Sequence, residues 1–157
     1  MTENDILEIV FVVWAFFFQV ALIIHFALRK WHFAKAMRYG KIIYLLCIPA
    51  VGLSIYFLLA GMAWPYWIAG FIFLIWAVFG YSVEYVLQIQ WRVPPYWPVF
   101  APYISLYLAT VMFYWWPLAL VYKPLWYVYG ALFLVSTILN ATSHQSTKLQ
   151  LKKEVMI

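Results

Sequence analysis

The chain has 157 residues, 68 % hydrophobic and 10 % charged, with net charge +5 and mean hydropathy +0.89. A soluble domain is about half apolar and about a quarter charged, so this composition excludes a soluble globular protein and indicates a polytopic membrane protein. The basic excess does not indicate nucleic acid as a partner, because the Lys and Arg residues border apolar runs instead of covering a polar face.

Five apolar runs follow one another. They are Ile6–Leu28, Ile42–Met62, Tyr66–Gln90, Val99–Leu118 and Pro124–Ala141. Each is near the roughly 20 residues that cross a hydrocarbon core. Lipid cannot satisfy an exposed backbone, so the runs are expected as helices. Long continuous runs also exclude the alternating ten-residue pattern of a membrane barrel. The predicted fold is an all-α membrane bundle of five transmembrane helices. A four-helix version, with Trp116–Tyr129 lying in the interface, is the alternative. The first run is too long for the apolar part of a cleavable signal and follows acidic residues, so it reads as an anchor. Residues 143–157 form a polar tail, in which Leu149, Leu151, Val155 and Met156 between lysines suit weak binding to a membrane surface.

Charge sets the expected orientation. Arg29, Lys30, Lys35, Arg38 and Lys41 lie between the first and second runs, Arg92 between the third and fourth, and Lys148, Lys152 and Lys153 in the tail. Five spans put all nine on one side, which the positive-inside rule assigns to the cytoplasm. Only Lys123 falls opposite. The expected topology is therefore N-out and C-in, and a prokaryotic cytoplasmic membrane is the default host. Most tryptophans agree, since Trp31, Trp91 and Trp97 fall near the inner boundary and Trp64, Trp67, Trp115, Trp116 and Trp126 near the outer one. Pro49, with Gly52 nearby, is expected to kink the second helix.

Ionisable residues inside apolar runs are costly and therefore informative. Glu84 stands two turns before the end of the third run, on a helical stripe with Gly70, Ala77, Tyr81 and Gln88. Tyr81 or Gln88 are candidates to hydrogen-bond its carboxyl, with Arg92 two turns away. Gly70 and Ala77 would allow a second helix to approach closely. Glu8 stands near the start of the first run and His25 one turn before its end. The fourth run carries Tyr103, Tyr107, Thr110 and Tyr114 on one face, and the fifth carries Tyr129, Phe133, Ser136 and Asn140. The bland reading of these stripes is interhelical hydrogen bonding. The sharper one is an aromatic wall around a flat apolar ligand such as a porphyrin, sterol, quinone or carotenoid. His25, Glu84, Gln88, Tyr103 and Asn140 share the inner half of the bundle. A site opening toward the basic side is expected there.

No standard cofactor follows from these residues. A transmembrane b-type haem needs two axial histidines at matching depth, and the one conceivable mate for His25 is His144 in the tail. Metal-ligating residues do not cluster in the sequence, no lysine lies mid-span for a Schiff base, and no nucleophile–base pair is evident.

The stretch Trp91-Arg92-Val93-Pro94-Pro95-Tyr96-Trp97-Pro98-Val99-Phe100-Ala101-Pro102, followed by Leu106-Tyr107, is similar to the Trp-x-Pro-Pro segment of the tryptophan-rich sensory (translocator) protein family. The resemblance implies five helices and binding of porphyrins or sterols. The segment lies here between the third and fourth runs, where that family has it between the first and second, so no residue role is carried over.

Three functions compete. The leading expectation is a non-catalytic membrane subunit or anchor of a larger assembly, such as a respiratory or other energy-converting complex. This follows from short loops, few buried charges and an aromatic content of 23 % suited to helix and lipid contacts. The second is a small homo-oligomeric channel or proton- or ion-coupled transporter using Glu84. The third is an intramembrane binder of an apolar ligand. Lipid is a partner in all three.

Overall fold

The structure, a computed structural model, describes residues 3–91 and 94–154, with side-chain surroundings for those residues except 3, 33 and 144–154. Among the described residues the fold is all helical. The elements are α1 (Glu3–Trp31), α2 (Phe33–Tyr39), α3 (Lys41–Leu45), α4 (Cys47–Leu59), α5 (Trp64–Tyr81) continued by a π-helical turn (Ser82–Val86), α6 (Trp97–Trp115), α7 (Leu118–Val121) and α8 (Lys123–Glu154). Five helical stretches are long and apolar enough to cross a membrane: Asn4–Trp31, Ala34–Leu59, Trp64–Val86, Trp97–Val121 and Lys123–Ser143. The count agrees with the five predicted runs.

The boundaries differ from the sequence prediction in ways that matter. The basic segment 29–41, expected as a loop, is helical. α1 continues through Arg29 and Lys30 to Trp31, and α2 starts at Phe33. Basic residues at helix ends keep their long stems against apolar surface while the charge reaches out, so helix and charge are compatible there. The second stretch breaks at Leu46, one turn before Pro49. Proline lacks an N–H and crowds the preceding turn, so the kink expected at Pro49 appears as this break. The four-helix alternative does not form. α7 carries the fourth stretch past Pro117 to Val121, Tyr122 alone is extended, and α8 begins at Lys123. The tail continues α8 as one helix to Glu154.

α5 is the centre of the bundle. It packs on α4 and α6, and α1 packs chiefly on α8. The third stretch has 44 % of its most apolar window buried against 22 % for the fifth, which leaves α8 at the edge. α1 and α5 run parallel in a fixed register. Phe11 meets Tyr66, Phe18 meets Phe73 and Arg29 meets Glu84, all at one constant sequence offset. α6 runs antiparallel to α1, with Tyr114 against Phe18 and Tyr107 against Phe26. Lipid tails are as apolar as leucine, so close packing and hydrogen bonds hold such helices together. Two glycines make the approach possible. A Cβ on Gly70 would collide with Ser54 Oγ and lie 2.6 Å from the Ala50 carbonyl oxygen of α4. One on Gly80 would lie 2.7 Å from the Tyr44 ring and 3.0 Å from the Tyr103 ring. Removing those side chains brings α4, α5 and α6 together around the site.

Candidate functional site

α1 buries a stripe of Leu7, Phe11, Ala15, Phe18, Leu22, Phe26 and Arg29, recurring every three or four residues. The last of these is charged. Arg29 Nη2 stands 3.7 Å from Glu84 Oε1, with the two side chains 4 % and 6 % exposed. The pair joins the basic end of α1 to the end of the third stretch.

Glu84 sits within the π-helical turn, which is wider than an α turn by one residue: the Leu87 N–H donates to the Ser82 carbonyl, five residues back. Each residue of an α-helix advances by about 100°, so one extra residue swings later positions off their predicted face. This corrects the stripe read from the sequence. Gly70 and Ala77 are buried as expected, and Glu84 faces α1. Gln88 is exposed, past the helix end, in the left-handed region at φ 51°. Tyr81 is 38 % exposed and stacks on Tyr85, with ring centroids 5.3 Å apart. Neither is the polar partner that the spacing suggested. Arg92 lies outside the described residues.

Tyrosines close the site. Tyr44, Tyr85 and Tyr103 all lie within electrostatic reach of Arg29, and the Tyr44 and Tyr103 hydroxyls share a 3.1 Å hydrogen bond. Trp76 and Trp91 press on Tyr103, at 5.8 and 4.6 Å between centroids. Tyr85 donates to the Met37 carbonyl at 3.3 Å, and Lys41 Nζ lies 5.2 Å from its ring centroid. His25, one turn before Arg29, is buried. Its Cε1 and the Tyr85 hydroxyl both lie against Gly40, where a Cβ would meet them at 3.1 and 2.6 Å. His25 also forms part of the floor of an apolar groove of about 210 Å³ between α1 and the α2–α3 segment.

The remaining predicted residues belong to a separate polar seam between α1, α6 and α8. Gln19 Nε2 donates to Ser136 Oγ at 2.8 Å, and Tyr107 lies beside Ser136 and Thr137. Gln19 Oε1 and Tyr129 OH are buried there without a protein hydrogen-bond partner. Asn140 is buried one turn beyond Ser136, where its carbonyl accepts from Ser143 Oγ at 2.7 Å. Further out, Trp14 Nε1 donates to Tyr114 OH at 3.0 Å. The Tyr103–Tyr114 stripe is packed by Trp76, Phe26, Phe18 and Trp14. Glu8 accepts from Tyr66 OH at 3.3 Å near the other end of the bundle.

Of the predicted set, the structure therefore gathers Glu84, Tyr103 and His25 at one end. It moves Tyr107 and Asn140 to the seam and leaves Tyr81 and Gln88 outside. Arg29, Tyr44 and Tyr85 complete the site and were missed as site residues. Among the described residues, no three His, Cys, Asp or Glu side chains are gathered to hold a metal ion. The His144 side chain lies outside the described residues, so the histidine pair considered for haem is not described. Compared with known proteins, the chain matches no family model, no curated protein and no solved structure, and the resemblance of the 91–102 segment extends to no family match.

Proposed function

We propose that the chain is an integral membrane protein that couples proton or cation movement to a transport step, with Glu84 as the coupling acid and Arg29 as its separable counter-ion. The form of the ion pair carries this reading. A charge-assisted hydrogen bond closes to about 2.7–2.9 Å. Arg29 and Glu84 stand at 3.7 Å instead, and Arg29 Nε is buried without a partner. A buried pair held only for stability is often bettered by apolar side chains of similar size. A looser pair, on a π turn of the kind that recurs at functional sites, suits a contact that opens and closes. Proton or cation uptake at Glu84 would release Arg29 toward Tyr44, Tyr85 and Tyr103, and loss would draw it back. Five helices are few for a complete pathway, so a homo-oligomer follows from this reading. The basic end would face the cytoplasm of a prokaryotic inner membrane.

The test is flux into liposomes driven by a pH or sodium gradient. Wild type should show gradient-dependent flux, Glu84→Gln should abolish it, and Glu8→Gln should leave it unchanged. Equal effects of the two substitutions, or no flux from wild type, would sink the proposal.

A second reading is a non-catalytic subunit of a larger membrane assembly. The open flank of α8 supports it, since only 22 % of that stretch's window is buried. Native mass spectrometry after gentle extraction separates the two. A heteromeric mass favours the subunit, and a homo-oligomer favours the transporter.

A further inference from the structure

We propose that the groove between α1 and the α2–α3 segment seats one acyl chain of an anionic phospholipid, with the phosphate held at the basic rim. This inference is independent of the transport reading. The groove walls are apolar and its floor includes the buried His25, Ala36 and Gly40. Its mouth is formed by half-exposed Phe17, Ile24 and Ile42. On α1 the lining runs from Phe17 to Leu28. At 1.5 Å per residue this is about 16 Å, roughly half a hydrocarbon core of about 30 Å. The groove therefore has the length of one leaflet.

Charge identifies the headgroup. Lys30, Lys35, Arg38 and Lys41 each stand within two residues of a residue lining the groove. The Arg38 guanidinium lies 5.9 Å from the ring centroid of Tyr39, itself a lining residue, which puts the charge at the groove end. Among the residues whose side-chain surroundings are described, the acid near this end is Glu84, and it is buried against Arg29. The rim is thus cationic, and a zwitterionic headgroup would gain less from it than a phosphate with net negative charge.

The probes are dioleoyl phosphatidylglycerol and dioleoyl phosphatidylcholine, titrated separately into the full-length detergent-solubilised protein. Bound lipid is read by native mass spectrometry and the thermal midpoint by circular dichroism. Phosphatidylglycerol should form a one-to-one adduct at least about tenfold more tightly than phosphatidylcholine, and raise the midpoint. Ala21→Phe, which fills the groove, should remove both adducts. Lys35→Gln with Arg38→Gln leaves the groove intact and should remove only the preference. That pair keeps the test decisive if Ala21→Phe does not fold. Equal binding of the two lipids, or a preference surviving Lys35→Gln/Arg38→Gln, overturns the proposal. So does a midpoint shift produced equally by sodium phosphate, which would mark an anion site without an acyl chain.

Discussion

Removing one member of the Arg29–Glu84 pair should cost more stability than removing both. At 3.7 Å and an effective dielectric constant of about 20, two unit charges attract by about 4.5 kcal/mol. Both side chains are nearly fully buried, so water screens little of this. Losing one partner strands the other charge, at a typical cost of about 3–5 kcal/mol. Replacing both with apolar groups removes the desolvation cost along with the attraction. Glu84→Leu and Arg29→Met should each lower the unfolding free energy by about 3–5 kcal/mol, and the double variant by no more than about 2 kcal/mol. The coupling should be about 4 kcal/mol or more, far above the roughly 0.5 kcal/mol within which independent sites add. The assay is equilibrium unfolding in mixed micelles with rising dodecyl sulfate, followed by helical circular dichroism. Single effects that add in the double variant would refute the pairing and, with it, the role assigned to Arg29.

Other substitutions test the packing around the site. Gly70→Val should destabilise by about 1–3 kcal/mol because it drives α5 off α4, measured in the same unfolding assay. Gly52→Val should be close to neutral, since a Cβ there meets nothing within 4 Å. Tyr129→Phe should be neutral or slightly stabilising, because it deletes a buried hydroxyl that has no protein partner. Trp14→Phe should cost about 0.5–2 kcal/mol by breaking the 3.0 Å bond to Tyr114, with a loss of tryptophan fluorescence to mark the site.

The span count, the weak point at Pro49 and the close approach at Gly70 were legible in the sequence. Each rests on local physics that tertiary contacts do not overturn: the length of an apolar run, a missing N–H and a missing Cβ. The positions of Tyr81 and Gln88 were not legible. Placing Gln88 assumed a helix of constant pitch through residues 77–88, and the Ser82–Val86 turn has one more residue than that pitch allows; Tyr81 precedes the turn and stacks on Tyr85 instead. The residues Ser82-Val83-Glu84-Tyr85-Val86 are not a pattern that single-sequence periodicity marks as π. Glu84 keeps the register that Tyr66 and Phe73 hold against α1 and so faces Arg29, a reason that exists only once both helices are packed.

Arg29 is the more instructive omission, because its signal was present. Grouped with Lys30, Lys35, Arg38 and Lys41, it reads as one more charge in a basic segment, and topology accounts for it. Counted instead from Phe11 in helical steps, it follows Ala15, Phe18, Leu22 and Phe26 on the one stripe of α1 that faces the bundle. A basic residue on the buried stripe must have an acid opposite, since an unpaired charge there is prohibitively costly. Glu84 was the only acid in the inner half of any apolar run. The two strongest anomalies of the sequence therefore answer each other. The orientation rule treats a charge near a span end as a label of sidedness, and helical phase decides whether it is also part of a site. Lys30, one position further on and off the stripe, is the contrast, with its ammonium 5.4 Å from the ring centroid of the exposed Trp31. Lys30→Gln should therefore leave unfolding free energy within about 0.5 kcal/mol of wild type, as for an ordinary surface change, where Arg29→Gln does not.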